Sequence, residues 1–375
     1  MSQNRWQFWI DRGGTFTDIV ALSPDGNLQT AKLLSENPEQ YKDAAIQGIR
    51  RFLDVPAGAQ IPRDEIKHVK MGTTVATNAL LERKGERTLL AMTAGLRDCL
   101  EIGHQARPDI FALNIEKPAP LYDDVIEIHE RIDAGGHVIE KLNLAAAETA
   151  LRTAYVSGYR SLALALLNSY KNPAHELALA ELARDIGFTQ VSLSTEAGAL
   201  IKLIPRGNTA VIDAYLSPVL RRYVQQVSSA LGNGVNVQFM QSSGGLAKAS
   251  HFVGRNAVLS GPAGGVVGAV AAAKAAGFDK IIGFDMGGTS TDVFHYAGRM
   301  ERKTESEIAG AKMRAPMLDI HTVAAGGGSV LSYDGQRFLA GPNSAGANPG
   351  PACYRRGGPL TVTDINAALG KLQPE

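Results

Sequence analysis

The spacing of apolar residues changes period several times along the chain, and each change marks an element. WQFWID and TFTDIVAL, near the N-terminus, alternate apolar with polar or β-branched residues, as strands do, and LQTAKLL after the turn SPDGN reads as a third strand. Residues 38–53 then set Ala44, Ala45, Ile49, Phe52 and Leu53 at helical spacing. A strand over 66–71 runs into GTTVATNALLERKG, a turn entering a helix that Gly85 ends. TLLAMT is the next strand. The order βββαβαβ predicts an α/β lobe built on a mixed sheet.

Residues 95–140 show no regular period. Within them Asp123, Asp124, Glu127, Glu130 and Asp133 alternate with Val125, Ile126 and Ile128, which reads as the exposed face of strands. A second α/β unit follows, with helices over 145–154 and 173–186 and strands over 161–167 and 191–193. After Pro205-Arg206-Gly207 a long helix is expected over 209–231, kinked at Pro218. A strand over 235–240 and the polar loop QSSGG lead to SGPAGG, which opens an Ala/Gly/Val helix ending near Gly277. Its small residues suit a helix packed closely between two lobes. Two more strands follow, KIIGFD and TSTDVFHY, but no long amphipathic helix lies between 294 and 363. A short helix is expected near 364–369.

Residues 8–20, FWIDRGGTFTDIV, recur as residues 282–294, IGFDMGGTSTDVF. In register, Asp11 matches Asp285, Gly13 and Gly14 match Gly287 and Gly288, Thr15 and Thr17 match Thr289 and Thr291, and Asp18 matches Asp292. Each copy is strand, Gly-Gly, strand, so the glycines are expected at a hairpin turn with positive φ. Backbone N–H groups at such a turn form an anion nest, and threonine hydroxyls add donors. Asp11 and Asp285 could hold Mg²⁺ directly or through water. This is the chemistry of nucleotide phosphates. No G-x-x-x-x-G-K-[ST] is present, and a dinucleotide fingerprint would need a helix where a strand follows.

Composition narrows the partners. Over 375 residues, 38 Lys and Arg balance 37 Asp and Glu, which argues against nucleic acid or a membrane surface. Cys99 and Cys353 are the only cysteines and lie far apart, giving neither a disulfide framework nor a zinc site. No signal peptide is visible at the N-terminus, and no apolar run reaches the about 18 residues of a membrane span. A cytoplasmic location is the expectation. The loop GHQARPDIFALNI gathers His104, Gln105, Arg107 and Asp109; Arg107, with its fork of donors, is the candidate there for gripping a carboxylate.

Two phosphate hairpins separated by a small-residue helix resemble the actin, Hsp70 and sugar-kinase type of ATPase, an α/β fold of two lobes closing on a nucleotide. Here the second lobe is incomplete. Gly326, Gly327 and Gly328 resemble that fold's adenosine turn. More narrowly, IDRGGTFTDIV, MGTTVATNALLERKG, GHQARPDIFAL, IPRGNTAVIDAYLSP, LSGPAGGVVGAV, GFDMGGTSTDV and NSAGANPGPACYRRGGPLTVTD together resemble the hydantoinase A/5-oxoprolinase family. The resemblance divides the chain into an N-terminal region, 1–204, and a core region, 205–375, cut short at its C-terminus. It implies ATP-dependent opening of a cyclic amide such as 5-oxo-L-proline, with ATP and Mg²⁺, a B-type part fused or separate, and an oligomeric full-length enzyme. On that reading Arg12, Gly13, Gly14, Thr15, Thr17, Gly287, Gly288, Thr289 and Thr291 would hold phosphates. Asp11 and Asp285 would be catalytic and metal-binding, and Arg107, Thr73, Thr74 and Asn78 would meet the substrate. The alternatives are the A subunit of an N-methylhydantoinase or ketone carboxylase, an ATP-driven conformational switch, and an inactive fragment.

Overall fold

The strands β1 (Trp6–Arg12) and β2 (Phe16–Leu22) form an antiparallel hairpin that sets Asp11 opposite Asp18 and Arg12 opposite Thr17. The structure, a computed structural model, describes residues 5–104, 111–115, 117–198, 200–232, 234–308, 310–346 and 348–372. Strand β3 (Leu28–Leu34) extends the hairpin, and β4 (Ile66–Thr73) runs parallel to β1 on its other side. Alternation turns Phe8, Ile10 and Ile19 inward, where α1 (Ala44–Phe52) covers them: the Phe52 ring lies 6.2 Å from that of Phe8. Asp43 caps α1 by accepting from the Ile46 N–H at 3.0 Å. The helix therefore starts later than its apolar spacing implies, after a turn in which the Tyr41 N–H donates to Asn37 O. Helix α2 (Val75–Leu81) ends before Gly85, and Arg83 takes the left-handed backbone (φ 55°) after it. Gly85 is small for another reason: a Cβ there would lie 2.1 Å from the Tyr215 ring.

Strand β5 (Thr88–Thr93) does not close the first sheet. All six of its residues are buried, as in a parallel strand covered on both faces. It sits in a second sheet of order β10-β9-β5-β6, with parallel neighbours throughout. This unit comprises α3 (Cys99–Ile102), β6 (Asp124–Ile128), the small hairpin β7 (Arg131–Ile132) and β8 (Val138–Glu140), α4 (Leu144–Val156), β9 (Ser161–Ala165), α5 (Ala174–Ile186), β10 (Gln190–Leu193) and α6 (Ser194–Ala197). Among the acids expected on an exposed face, Glu130 is buried: it accepts from Thr93 Oγ1 and lies 2.7 Å from His175 Nδ1.

Helix α7 (Leu203–Leu231) packs against both sheets and is buried along most of its length. It begins before the expected residue 209 and takes in Pro205, since a proline in the first turn removes no helical hydrogen bond. It continues unbroken past Pro218. Arg206, fully buried, explains why this turn is held: it donates to Ser169 Oγ at 2.6 Å, to Ser194 Oγ and to Leu166 O at 3.0 Å, with Glu176 Oε1 at 3.8 Å.

Strands β11 (Asn236–Met240) and β12 (Leu246–Lys248) complete the first sheet, order β12-β11-β4-β1-β2-β3. Helix α8 (Ser260–Ala275) follows and stops at Gly277 (φ +87°). The second hairpin, β13 (Lys280–Met286) and β14 (Thr291–Ala297), repeats the register of the first, with Asp285 opposite Asp292. Two further antiparallel strands, β15 (Arg302–Ile308) and β16 (Ala311–Leu318), come next. Strand β17 (His321–Val323) then pairs with β14, β18 (Ser329–Tyr333) pairs with β19 (Phe338–Ser344), and α9 (Val362–Ala368) follows. The segment Gly254–Ala275 has the length and composition of a membrane span, which the sequence reading did not anticipate. Its core residues Ala263, Val266 and Val270 instead pack against Phe294, Tyr296, Leu318 and Ile320.

Candidate active site

Helix α8 stands between the two hairpins, with one small residue facing each aspartate. A Cβ on Gly261 would lie 3.5 Å from Asp11 Oδ1, and one on Gly265 would lie 3.9 Å from Asp285 Oδ2. The two glycines are four residues apart and share a helix face. Gly72 on β4 closes in from the side, its Cβ position 2.9 Å from Asp11 Oδ1. The hairpin tips also meet: a Cβ on Gly288 would lie 3.5 Å from Thr15 Oγ1, and one on Gly14 would lie 3.8 Å from Asn78 Nδ2.

The turns differ from expectation in one respect. None of Gly13, Gly14, Gly287 and Gly288 has a left-handed φ. Glycine is required instead by close approach, since a Cβ on Gly13 would lie 2.9 Å from Phe16 O. The Gly13 N–H donates to Phe16 O at 3.0 Å and the Gly287 N–H to Ser290 O at 2.8 Å. The next two N–H groups of each turn, on Gly14 and Thr15 and on Gly288 and Thr289, have no acceptor among the described residues. Donor pairs of this kind are the groups from which an anion nest is built.

Asp11 and Asp285 likewise have no hydrogen-bond or ion-pair partner among the described residues, whereas Asp18 pairs with Lys32 at 2.6 Å and Asp292 accepts from Thr322 Oγ1 at 2.6 Å. Burial, then the charges of Asp18 and Asp285, push the Asp11 carboxyl above its ordinary range, with Lys32 opposing. Burial also raises Asp292, against the Thr322 hydrogen bond, and Asp285 adds to the rise. Two unpartnered carboxylates that repel fit a divalent cation between them. Among the described residues no group of three or more His, Cys, Asp or Glu could hold a metal.

Several expected phosphate contacts point elsewhere. Thr17 and Thr291 lie on the inward face of their strands and are buried. Thr17 Oγ1 bonds Ser35 Oγ at 3.0 Å, and Thr291 Oγ1 donates to Ala325 O at 2.6 Å. Arg12 alternates away from Asp11; its guanidinium lies over the Tyr223 ring at 5.1 Å, and its Nε is buried without an acceptor. Thr73 is buried and accepts from the Val75 N–H at 3.2 Å, while Thr74 Oγ1 donates to Arg12 O at 3.2 Å. Of the expected substrate residues, Asn78 lies beside the Gly14 tip and Thr74 beside Arg12 and Gly261, while Arg107 lies outside the described residues. Gly327 and Gly328 donate their N–H groups to Gly287 O at 2.9 Å and Gly288 O at 2.6 Å, so this turn braces the second hairpin, and Gly326 donates to Ser329 Oγ at 3.2 Å. Three supporting residues lie outside the repeated motif. Ser35 donates to Gly13 O at 2.7 Å, Ser260 donates to Thr73 O at 2.8 Å, and Lys32 is paired in register with Asp18. Lys32 was findable from strand alternation; the two serines carry no sequence signal.

The hydantoinase/oxoprolinase N-terminal region matches residues 7–187, and the hydantoinase/oxoprolinase region matches residues 206–375. The chain belongs to the hydantoinase/oxoprolinase family. It is 47% identical over 406 residues to 5-oxoprolinase 1 of Arabidopsis thaliana and 44% identical over 419 residues to 5-oxoprolinase of Saccharomyces cerevisiae; each alignment covers 100% of this chain and 32% of the relative. The chain thus spans about a third of their length. The crystal structure of the ATP-dependent caprolactamase from Pseudomonas jessenii superposes with a TM-score of 0.80 at 33% identity, covering 98% of this chain and 55% of that one. Acetone carboxylase, at 24% identity and a TM-score of 0.79, shares the fold.

Proposed function

We propose that this chain is the ATP-binding part of an ATP-dependent cyclic amidohydrolase of the 5-oxoprolinase type, which opens 5-oxo-L-proline to L-glutamate with release of ADP and phosphate. The observation that carries the reading is the pair of hairpin tips, each with two free N–H donors, set on either side of the unpartnered Asp11 and Asp285. The identities to 5-oxoprolinases favour the lactam over a hydantoin or a ketone.

A lactam carbon is a poor electrophile. Moving the terminal phosphoryl group of ATP onto the lactam oxygen breaks its bond to the ADP oxygen and turns the lactam oxygen into a leaving group. Water then adds to the carbon, the ring C–N bond opens with a proton passing to nitrogen, and a second water releases phosphate. The N–H groups of Gly14, Thr15, Gly288 and Thr289 stabilise charge on the transferring oxygens without reorganising. Asp11 and Asp285 would hold Mg²⁺, directly or through water, and the ion supplies neutralisation of phosphate charge. Asp285 also orients the attacking group. The reading includes a B-type part for complete hydrolysis, an oligomeric full-length enzyme and a cytoplasmic setting.

In the complete enzyme, Asp11→Asn and Asp285→Asn should each lower 5-oxoproline-stimulated ADP release by roughly 100-fold or more. Unchanged turnover in both variants would sink the two-hairpin mechanism. Stimulation by a hydantoin, or by a ketone with bicarbonate, in place of 5-oxoproline would move the substrate assignment.

A further inference from the structure

Within the repeated block the two hairpins differ in charge at one position. Arg12, next to the first Gly-Gly, is matched by Met286. The second hairpin keeps the same ladder register with methionine there, so pairing of the strands does not itself need the cation. Register sets Arg12 between Thr17 of β2 and Thr73 of β4, both buried. Neither hydroxyl bonds the guanidinium: Thr17 is held by Ser35, and Thr73 by the Val75 N–H. What the guanidinium meets is the Tyr223 ring of α7, 5.1 Å away. Among the described residues only four buried side-chain polar atoms lack a hydrogen-bond partner, and two of them, Arg12 Nε and the Tyr223 hydroxyl, belong to this one contact. Burying unmatched polar atoms is costly, so the contact is kept at the expense of stability.

The backbone around Arg12 is where that expense has a use. Arg12 O accepts from the Thr74 N–H at 3.1 Å and from Thr74 Oγ1 at 3.2 Å. Gly13 O accepts from Ser35 Oγ at 2.7 Å, and Thr15 O from the Ser35 N–H at 2.9 Å. The second tip has a brace of another kind, the Gly327 and Gly328 N–H groups on Gly287 O and Gly288 O, and carries no cation. We propose that Arg12 is a positioning residue for the phosphate site: resting its guanidinium on Tyr223, it ties the Gly13–Thr15 turn to α7, so that the Gly14 and Thr15 N–H groups stay aimed at the transferring phosphoryl group. Arg12 acts through the turn and touches no reacting atom. It is not among the charges that move the Asp11 carboxyl, so its influence runs through backbone position. Its effect on turnover rests on the proposed phosphoryl transfer; its effect on the turn does not.

Amide hydrogen exchange on the 375-residue chain reads the turn directly, through the Gly13 N–H, which donates to Phe16 O, and the Ser35 N–H, which donates to Thr15 O. Arg12→Met and Tyr223→Leu should each speed exchange of these two amides about tenfold or more, with the β9 amides exchanging as in wild type. Arg12→Lys keeps a cation over the ring and should recover most of the protection. The double variant should be no worse than either single one, because both remove the same contact. Arg87→Met breaks a similar stack on Tyr159, 4.1 Å away beside the four-stranded sheet, and should leave both amides unchanged. In the complete enzyme Arg12→Met should lower kcat for 5-oxoproline-stimulated ADP release about tenfold or more, with KM for 5-oxoproline little changed, and Arg12→Lys should restore it. The proposal is overturned by a turn as protected in Arg12→Met as in wild type, by additive effects of the two substitutions, by faster exchange throughout the chain, or by an unchanged kcat. A complete wild-type enzyme that does not turn over 5-oxoproline would instead overturn the functional reading and leave the exchange result standing.

Discussion

Asp285 acts on Asp11 from the opposite hairpin. After burial and the neighbouring Asp18, its charge is the third influence that raises the Asp11 carboxyl, and Lys32 opposes it. A folded-state value above the unfolded one means that the folded chain binds the proton more tightly. Asp11 therefore favours folding only in acid, fully so below the unfolded carboxyl range near ~4, and this is lost as pH rises through the folded value. Asp11→Asn should thus be more stable than wild type at pH 7 in urea unfolding, with the difference vanishing below about pH 4. The same variant should be inactive in the complete enzyme, a trade of function against stability. Lower stability of Asp11→Asn at pH 7 would contradict the assignment.

Two glycines of α8 should respond oppositely to substitution. A Cβ added at Gly268 would meet nothing within 4 Å, and this residue lies on the exposed side of the helix interior. Gly268→Ala should stabilise by about 0.5–1 kcal/mol in urea unfolding, with no effect on turnover. Gly265→Leu would push a side chain at Asp285 and should abolish turnover while the thermal melt stays near wild type.

The turn carrying Gly326 presses on the second hairpin through backbone alone. A Cβ on Gly326 would lie 2.8 Å from Gly287 O and from the Gly288 backbone, so no rotamer can relieve the clash. Gly326→Ala should cost about 1–3 kcal/mol of stability and lower ATP turnover together. Intact turnover with a lowered melting temperature would separate this turn from the phosphate site.

Glu176 and Arg206 are both fully buried, and Glu176 accepts from Ser194 Oγ, from the Leu166 N–H at 3.0 Å and from Thr195 Oγ1 at 2.9 Å. Truncating one partner leaves an uncompensated charge inside the protein. Glu176→Ala should destabilise by about 3–5 kcal/mol in denaturant unfolding. A loss below about 1 kcal/mol would show that the site admits water.

Nucleotide affinity is expected to depend on the rest of the second lobe. Calorimetric titration of ATP and magnesium into the 375-residue chain should give weak or undetectable binding. Tight, magnesium-dependent binding would mean that the hairpins and α8 suffice.

How far the sequence carried these conclusions varied with the kind of interaction. The repeat placed both hairpins, because period-two alternation and matched Asp-Gly-Gly-Thr blocks are local signals, and small residues in SGPAGG rightly announced a helix lying between two lobes. Side-chain direction was legible in principle: the alternation that buries Ile19 also buries Thr17, and it turns Arg12 from Asp11. Sheet membership was not legible. β5 follows α2 directly yet pairs with β6 and β9, and its Leu90 and Met92 share a core with α7, which is distant in sequence. Serines such as Ser35 and Ser260 act by bonding backbone carbonyls that only the folded chain brings near.

The detour taken by β5 has its own consequence. The chain leaves the six-stranded sheet after α2 and rejoins it at β11, so the parallel four-stranded unit is an insert in the connectivity of the hairpin lobe. It rests on α7 and shares no ladder with β1 or β13. Its loops can lengthen, shorten or change chemistry without shifting the register that sets Asp11 against Asp18. The architecture therefore separates what is evolvable from what is not: one module free to vary, hung on a frame whose tolerances are set by glycines that have no room for a methyl group.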